Sequence, residues 1–310
     1  TPSSAVAFGG DASGSQSATE DWIGAGAAIG AWSTGGGLNT GRQQLAGAGT
    51  QTAAIAFGGA PGEKNETELY DGSSWTEVNN LNTARFELGA AGTYTAAVGF
   101  GGELPGSNVT NTELWDGTSW TEVNDLNAAR GRMGYAGASN TAALCVTGLP
   151  PPTGNAAVEQ WNGTNWTEVN DVNSARRSLF ASGTTTSALA YGGYNTTQRA
   201  LTESWNGTNW TEVNDLNEAK YALGGAGTSN TSALAFGGQP GLAGSSVNTE
   251  DWNGVSWAET ANLNTGRVNL GANGTATAAL AYGGEGPPAA LTNTEEWNLP
   301  SSTTKTISTD

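Results

Sequence analysis

The apolar positions of this chain fall into short runs bounded by turn residues, and the runs return in a fixed order. Residues 85–130 show the pattern. Leu88–Thr93 (LGAAGT) is small throughout, Thr95–Gly102 (TAAVGFGG) is apolar on both faces, and a variable loop follows. Two alternating runs then close the unit, Asn111–Gly117 (NTELWDG) and Ser119–Asn124 (SWTEVN). Each run has strand length, so the pattern predicts four strands per period.

Near-copies of Asn111–Arg130 stand at Glu68–Arg85, Glu159–Arg176, Glu203–Lys220 and Glu250–Arg267. A double glycine at the end of the second strand counts the periods: residues 9–10, 58–59, Gly101-Gly102, 192–193, 237–238 and 283–284, with Gly148-Leu149 in the same place in the fourth. That gives seven periods spaced 43 to 49 residues apart. Four strands at this period make the blade of a β-propeller. The expected fold is all-β, a seven-bladed propeller of four antiparallel strands per blade, spanning 1–310 as one domain. Its blades fall near 1–41, 42–84, 85–129, 130–175, 176–219, 220–266 and 267–310. Thr1–Gly10 aligns with Thr275–Gly284. The innermost strand of the first blade is therefore missing, and it is expected upstream of Thr1 in a longer chain. The polar, β-branched tail Thr303–Thr309 is expected either as the outer strand of the last blade or as that missing strand.

Third and fourth strands meet at Asp-Gly or Asn-Gly, as at Asp116-Gly117 and Asn162-Gly163, which suits a two-residue type I′ hairpin. That turn sets Trp115 opposite Thr118 and Glu113 opposite Trp120, leaving Glu113, Trp115 and Trp120 on one face. All 12 Trp fall into two columns. The third-strand column includes Trp115, Trp161, Trp205 and Trp252, with Tyr70 substituting once. The fourth-strand column includes Trp75, Trp120, Trp166, Trp210 and Trp257. Aromatics placed so regularly are expected to pack blade against blade. The small first strands suit the crowded axis.

Composition narrows the class. With 47 Gly among 310 residues and 13% charged residues, the chain is too rich in glycine and β-branched residues for a helical protein, and its tryptophans argue against disorder. Eleven Lys and Arg against 28 Asp and Glu leave a formal charge of −17, which repels phosphate backbones and makes nucleic acid an unfavoured partner. No apolar run is long enough to cross a bilayer as a helix, so membrane insertion is not expected. Cys145 stands alone and forms no internal disulfide. Sequons such as Asn108, Asn162, Asn195 and Asn230 follow from an Asn/Thr-rich repeat.

The order R…GG…E-x-aromatic-D-G…W…R, carried here by Gly101-Gly102, Glu113-Leu114-Trp115-Asp116, Trp120 and Arg130, resembles the kelch repeat over essentially the whole chain. That resemblance implies a propeller, and it implies little about function, because kelch propellers serve as adhesins, adaptors, oxidases and scaffolds. The near-verbatim N-G-T-x-W-T-E-V-N-D-L-N texture, the scarcity of lysine and the Thr/Ser-rich end are similar to repeat proteins of marine bacteriophages, above all those of cyanobacteria, found as tail-fibre or other virion proteins.

Catalytic chemistry finds little support. Histidine is absent, which removes imidazole metal sites and His acid–base chemistry, including a Ser-His-Asp triad. No metal and no cofactor is expected. A sialidase box reads S-x-D-x-G-x-x-W, whereas Asp116, Gly117 and Trp120 are one residue short of it and already serve a hairpin. The row of third-strand glutamates, among them Glu68, Glu113 and Glu159, cannot be one active site because it repeats. It is expected to accept hydrogen bonds from a repeated Arg or backbone N–H.

Arg85, Arg130, Arg176 and Arg267, with Arg42 and Lys220, precede the first strands on the face that also carries the variable second-to-third-strand loops. Pairing with the Glu row is weighed ahead of anion binding for this basic ring. The loops differ from copy to copy while their scaffold hardly changes, which marks them for binding. Tyr194, Gln198 and Arg199 form the most ligand-like set. The function expected is non-enzymatic: a virion binding module that recognises a host-surface glycan or receptor, with other virion proteins as partners. The alternative is a decoration or spacer module that contacts only virion chains, and a glycan hydrolase ranks a distant third.

Overall fold

The computed structural model describes residues 4–8, 19–23, 30–149, 154–241, 244–286 and 289–300. Each of the five periods between residues 46 and 259 folds into an antiparallel four-stranded sheet whose strands lie side by side in chain order. In blade II these are Gly89–Thr93, Ala96–Phe100, Thr112–Trp115 and Trp120–Glu122. The first strands stand beside one another around a common axis, and the sixth returns to the first. Blades I to V occupy 46–78, 89–122, 134–169, 180–213 and 224–259.

Six blades close the ring, one fewer than the seven expected. The first period does not build a blade. Its strands Ser4–Phe8 and Thr19–Ile23 pair with each other in a separate two-stranded sheet. Its fourth strand, Ala31–Gly35, pairs instead with Thr294–Asn298, completing blade VI outside Gly271–Gly274 and Ala278–Tyr282. The reason lies in the last period, where no S-W-T-E-V-N run follows Trp297. Trp32 fills that vacancy and pairs with Trp297, as Trp120 pairs with Trp115 in blade II. A closed ring of six needs no missing inner strand. The tail Thr303–Thr309 lies outside the described residues, as does the second-to-third-strand loop of the first period, residues 11–18.

The third-to-fourth turn also departs from the expected register. Trp115 pairs with Trp120 and Glu113 with Glu122, so four residues rather than two make the turn. The Asp116 carboxylate accepts from the backbone N–H of Thr118 and Ser119 at 2.8 Å, and only Gly117 takes a positive φ, +95°. An aspartate that captures local N–H groups favours this Asx turn over type I′. Those hydrogen bonds hold the Asp116 carboxyl below the usual carboxylate range. The face shared by Glu113, Trp115 and Trp120 is unchanged, because the two extra residues preserve the alternation.

Each blade is fastened by a buried carboxylate. Glu68, Glu113, Glu159, Glu203, Glu250 and Glu295 are at most 3% exposed. In blade I, Arg42 Nη2 donates to Glu68 Oε1 at 2.7 Å, and Asn39 donates to Oε2 through its backbone N at 2.8 Å and Nδ2 at 2.7 Å. Nδ2 also donates to the Trp75 carbonyl at 2.9 Å. The L-N-x-x-R connection thus wraps the carboxylate of the blade it enters and pins that blade's outer strand. The pattern recurs with Arg85 on Glu113, Arg130 on Glu159, Arg176 on Glu203 and Arg267 on Glu295. Lys220 replaces arginine in blade V. Its Nζ lies 3.3 Å from Glu250 Oε1 without hydrogen-bond geometry, because a single ammonium cannot reach every acceptor that a guanidinium fork reaches.

Blades pack through the fourth-strand tryptophans. Trp120 meets Phe57 of the preceding blade edge-on, with ring centroids 4.6 Å apart, and Trp166 meets Phe100 at 4.7 Å. Their indole N–H groups donate across the same joint, Trp120 to Thr67 Oγ1 and Trp166 to Thr112 Oγ1, each at 3.0 Å. Trp210 differs. The position equivalent to Thr67 in its neighbour is Val158, fully buried, and the Trp210 Nε1 has no acceptor.

Two stability outcomes follow from these joints. Val158→Thr supplies the absent acceptor in the same volume and should raise stability by about 1 kcal/mol, read as a higher denaturant midpoint at unchanged slope. Glu113→Gln leaves the Arg85 charge enclosed without a counter-ion and should lower stability by about 3–5 kcal/mol, measured in the same way.

Candidate functional site at the channel mouth

The loop face is built around an unusual backbone feature. The residue two places after each Arg or Lys, namely Gln44, Glu87, Arg132, Ser178, Ala222 and Asn269, is left-handed, with φ between +53° and +57°. Each of these six donates its N–H to the carbonyl of its counterpart in the preceding blade, from Glu87 to Gln44 at 2.9 Å around to Gln44 to Asn269 at 2.7 Å. The hydrogen bonds form a closed circuit around the channel mouth. Left-handed backbone costs non-glycine residues about 1–2 kcal/mol each, and the packing that holds the neighbouring arginine fixes it here.

Only the backbone of these positions serves the ring, so their side chains are released from it. In a repeat that is otherwise nearly verbatim, all six differ. The residues just before them, including Phe86, Arg177 and Tyr221, differ as well. These pair with the residue that follows the double glycine: Phe86 with Glu103, Arg177 with Tyr194, Tyr221 with Gln239. The variable loops are therefore laddered directly onto the varied ring, and both surround one mouth.

Charge and aromatic groups are unevenly spread there. A cleft of about 60 Å³ at the mouth is lined by Glu87, Arg132, Ser178 and Asn269 among others. Gln44 Nε2 donates to Glu87 Oε1 at 2.7 Å. Arg132 Nε donates to Glu103 Oε1 at 2.9 Å and lies 3.9 Å from Glu87. Burial pushes the Glu87 carboxyl above its ordinary value, with Arg132 opposing the shift. Burial would lower Arg132, but Glu87 and Glu103 hold it above its ordinary value. Beside this group the Tyr194 ring lies 5.1 Å from Tyr221, and the Arg177 guanidinium sits 5.0 Å from the Tyr194 centroid. Tyr221 donates its hydroxyl to Gln239 Oε1 at 2.7 Å.

Of the residues singled out in sequence, Tyr194, Gln198 and Arg199 fall in one partly exposed loop. Tyr194 and Gln198 form an antiparallel bridge, and Arg199 Nε donates to Asn195 Oδ1 at 2.8 Å. The basic ring reads differently. Arg85, Arg130, Arg176 and Arg267 are at most 1% exposed, and with their guanidinium groups engaged by carboxylates and carbonyls they present no surface to an anion. Gly101 and Gly102, with φ of +58° and +114°, turn the chain into the variable loop. Glu87, Arg132, Arg177 and Tyr221 were passed over in the sequence. Their signal was present as copy-to-copy variation in the two residues beside an otherwise repeated arginine.

The channel behind this mouth is stopped by two large residues on otherwise small inner strands. Tyr135 of blade III packs against apolar groups of blades I and II, and Phe180 of blade IV stands 5.7 Å from it, ring to ring. Burial pushes the Tyr135 phenol up to about 12.

No family model matches the chain, and no curated protein matches it in sequence. Among solved structures it is similar to that of YjhT, with a TM-score of 0.70 and 13% identity over 83% of this chain and 95% of that one. A likeness at this identity establishes the propeller fold.

Because the folded state raises the Glu87 pKa, it binds this proton more tightly than the unfolded chain does. The resulting contribution to stability is present at acid pH and is lost as pH rises through the raised value. Glu87→Gln should therefore remove that decline, so that the stability difference between variant and parent grows from acid toward neutral pH in denaturation midpoints taken across the range.

Proposed function

We propose that this chain is a non-enzymatic, kelch-type binding module that reads its ligand on the loop face, around the channel mouth. The observation that carries this reading is the division of labour within the repeat. Residues that build the blades hardly change between copies, whereas the six mouth positions and the adjoining loops change in every one. Binding surfaces sit on loops held by a rigid scaffold, and a ring of different side chains on an identical backbone offers one asymmetric surface. Tyr194, Tyr221 and Arg177 supply stacking area and a cation, Gln239 supplies amide hydrogen bonding, and Glu87, Glu103 and Arg132 set the charge beside them. Aromatic platforms with amide and guanidinium neighbours suit a glycan.

The phage-like texture of the repeat supports a place on a virion, where the module would recognise a host-surface glycan or receptor and attach to other virion proteins. The test is saturable binding of the labelled, folded chain to marine bacterial cells and to their purified surface polysaccharides. Tyr194→Ala and Arg177→Ala should each weaken binding about tenfold or more, equivalent to about 1.4 kcal/mol, with unchanged melting. Glu168→Ala on the outer rim should leave it unchanged. A folded chain that binds none of these surfaces would instead be a structural module of the particle.

A further inference from the structure

The opposite end of the channel carries a second asymmetry. Beyond Tyr135 and Phe180 lies a cavity of about 240 Å³, walled mainly by glycine, alanine and threonine of the inner strands, and no charged side chain lines it. At the inner-strand position of Ala48 four blades have alanine, but blade IV has Ser182 and blade VI has Asn273. Four departures from a small-residue repeat, Tyr135, Phe180, Ser182 and Asn273, therefore meet in one cavity.

Asn273 is the telling residue. It is 8% exposed, and its Nδ2 donates to the Thr50 carbonyl at 3.0 Å, which fixes the orientation of the amide. Its Oδ1 then has no partner. A buried acceptor left unmade is costly, and the five other inner strands show that the ring closes without a polar side chain of this size. Ser182, 5% exposed, has one long contact of 3.4 Å with the hydroxyl of Tyr191, whose own proton goes to the Leu234 carbonyl at 2.9 Å, so the Ser182 oxygen keeps its lone pairs open to a donor.

We propose that this vestibule is a second binding site, for a compact, uncharged, polyhydroxylated ring the size of one sugar unit. One ligand hydroxyl donates to Asn273 Oδ1, another donates to Ser182 Oγ, and the apolar ring face rests on Tyr135 and Phe180. The absence of charged lining selects a neutral molecule. The volume, equivalent to about eight waters at roughly 30 Å³ each, admits one ring and excludes a longer chain. The site is independent of the loop-face reading, since the aromatic stopper separates the two ends.

The test is calorimetry and saturation-transfer NMR on the full chain with D-glucose, D-galactose, L-fucose and N-acetyl-D-glucosamine. At least one should bind saturably at one molecule per chain. Asn273→Ala should weaken that binding at least tenfold. Ala138→Trp, at the exposed rim, should abolish it with melting preserved, and Thr93→Trp on the same rim serves if the first variant fails to fold. Tyr194→Ala should leave it unchanged. The proposal is overturned if none of the four sugars gives a saturable signal, if binding survives a folded rim-blocking variant, if Tyr194→Ala abolishes it, or if phenol binds and no sugar does.

Discussion

Everything in this propeller hangs on a carboxylate that has left water. A buried ion pair stabilises a fold only when geometry is good and the remaining lone pairs are filled. Five of the six third-strand glutamates, all but Glu250, meet that condition through the L-N-x-x-R connection, in which arginine takes one oxygen while asparagine takes the other with both its backbone and its amide, as at Glu68. The same asparagine reaches the outer strand. One enclosed charge therefore sets the path of the entering chain, the place of the fourth strand and the position of the arginine. Once the arginine is placed, the next two residues have little freedom, and the left-handed circuit around the axis is its direct consequence.

That hierarchy explains which features were legible in the sequence. Strand number per period, the tryptophan columns and the glutamate row are local, repeated chemistry, and they are visible wherever the repeat is. The ring size was not, because the double glycine counts second strands and does not say which third strand a fourth strand will join. Ala31–Gly35 looks like the end of its own period, and the vacancy beside Trp297 decides otherwise. The turn register was missed for a smaller reason: Asp116 was read for the backbone angles its dipeptide allows, when its carboxylate holds two N–H groups instead.

The candidate site was partly legible for an instructive reason. A repeated arginine beside variable loops attracts attention as a ligand ring, yet repetition itself marks it as scaffold, and Arg85 and its counterparts are enclosed. Binding capacity rests on what does not repeat. Glu87, Arg132, Ser178 and Asn269 lie two residues away from those arginines and share a backbone conformation with nothing else in common. On the far side of the stopper, Asn273 follows the same rule as a lone large amide in a column of alanine and serine.

The seam of blade VI joins residues far apart in the chain, as the bond from Ser33 to the Glu296 carbonyl across 263 positions shows. A ribosome delivers Ala31–Gly35 early and Thr294–Asn298 late. Through most of synthesis the outer strand waits without its partner while blades accumulate beside it, and the hydrogen-bond circuit at the axis cannot be completed until the sixth is made. The nascent chain thus carries an open sheet edge until its sixth blade emerges, the condition in which strand exchange between neighbouring chains competes with closure.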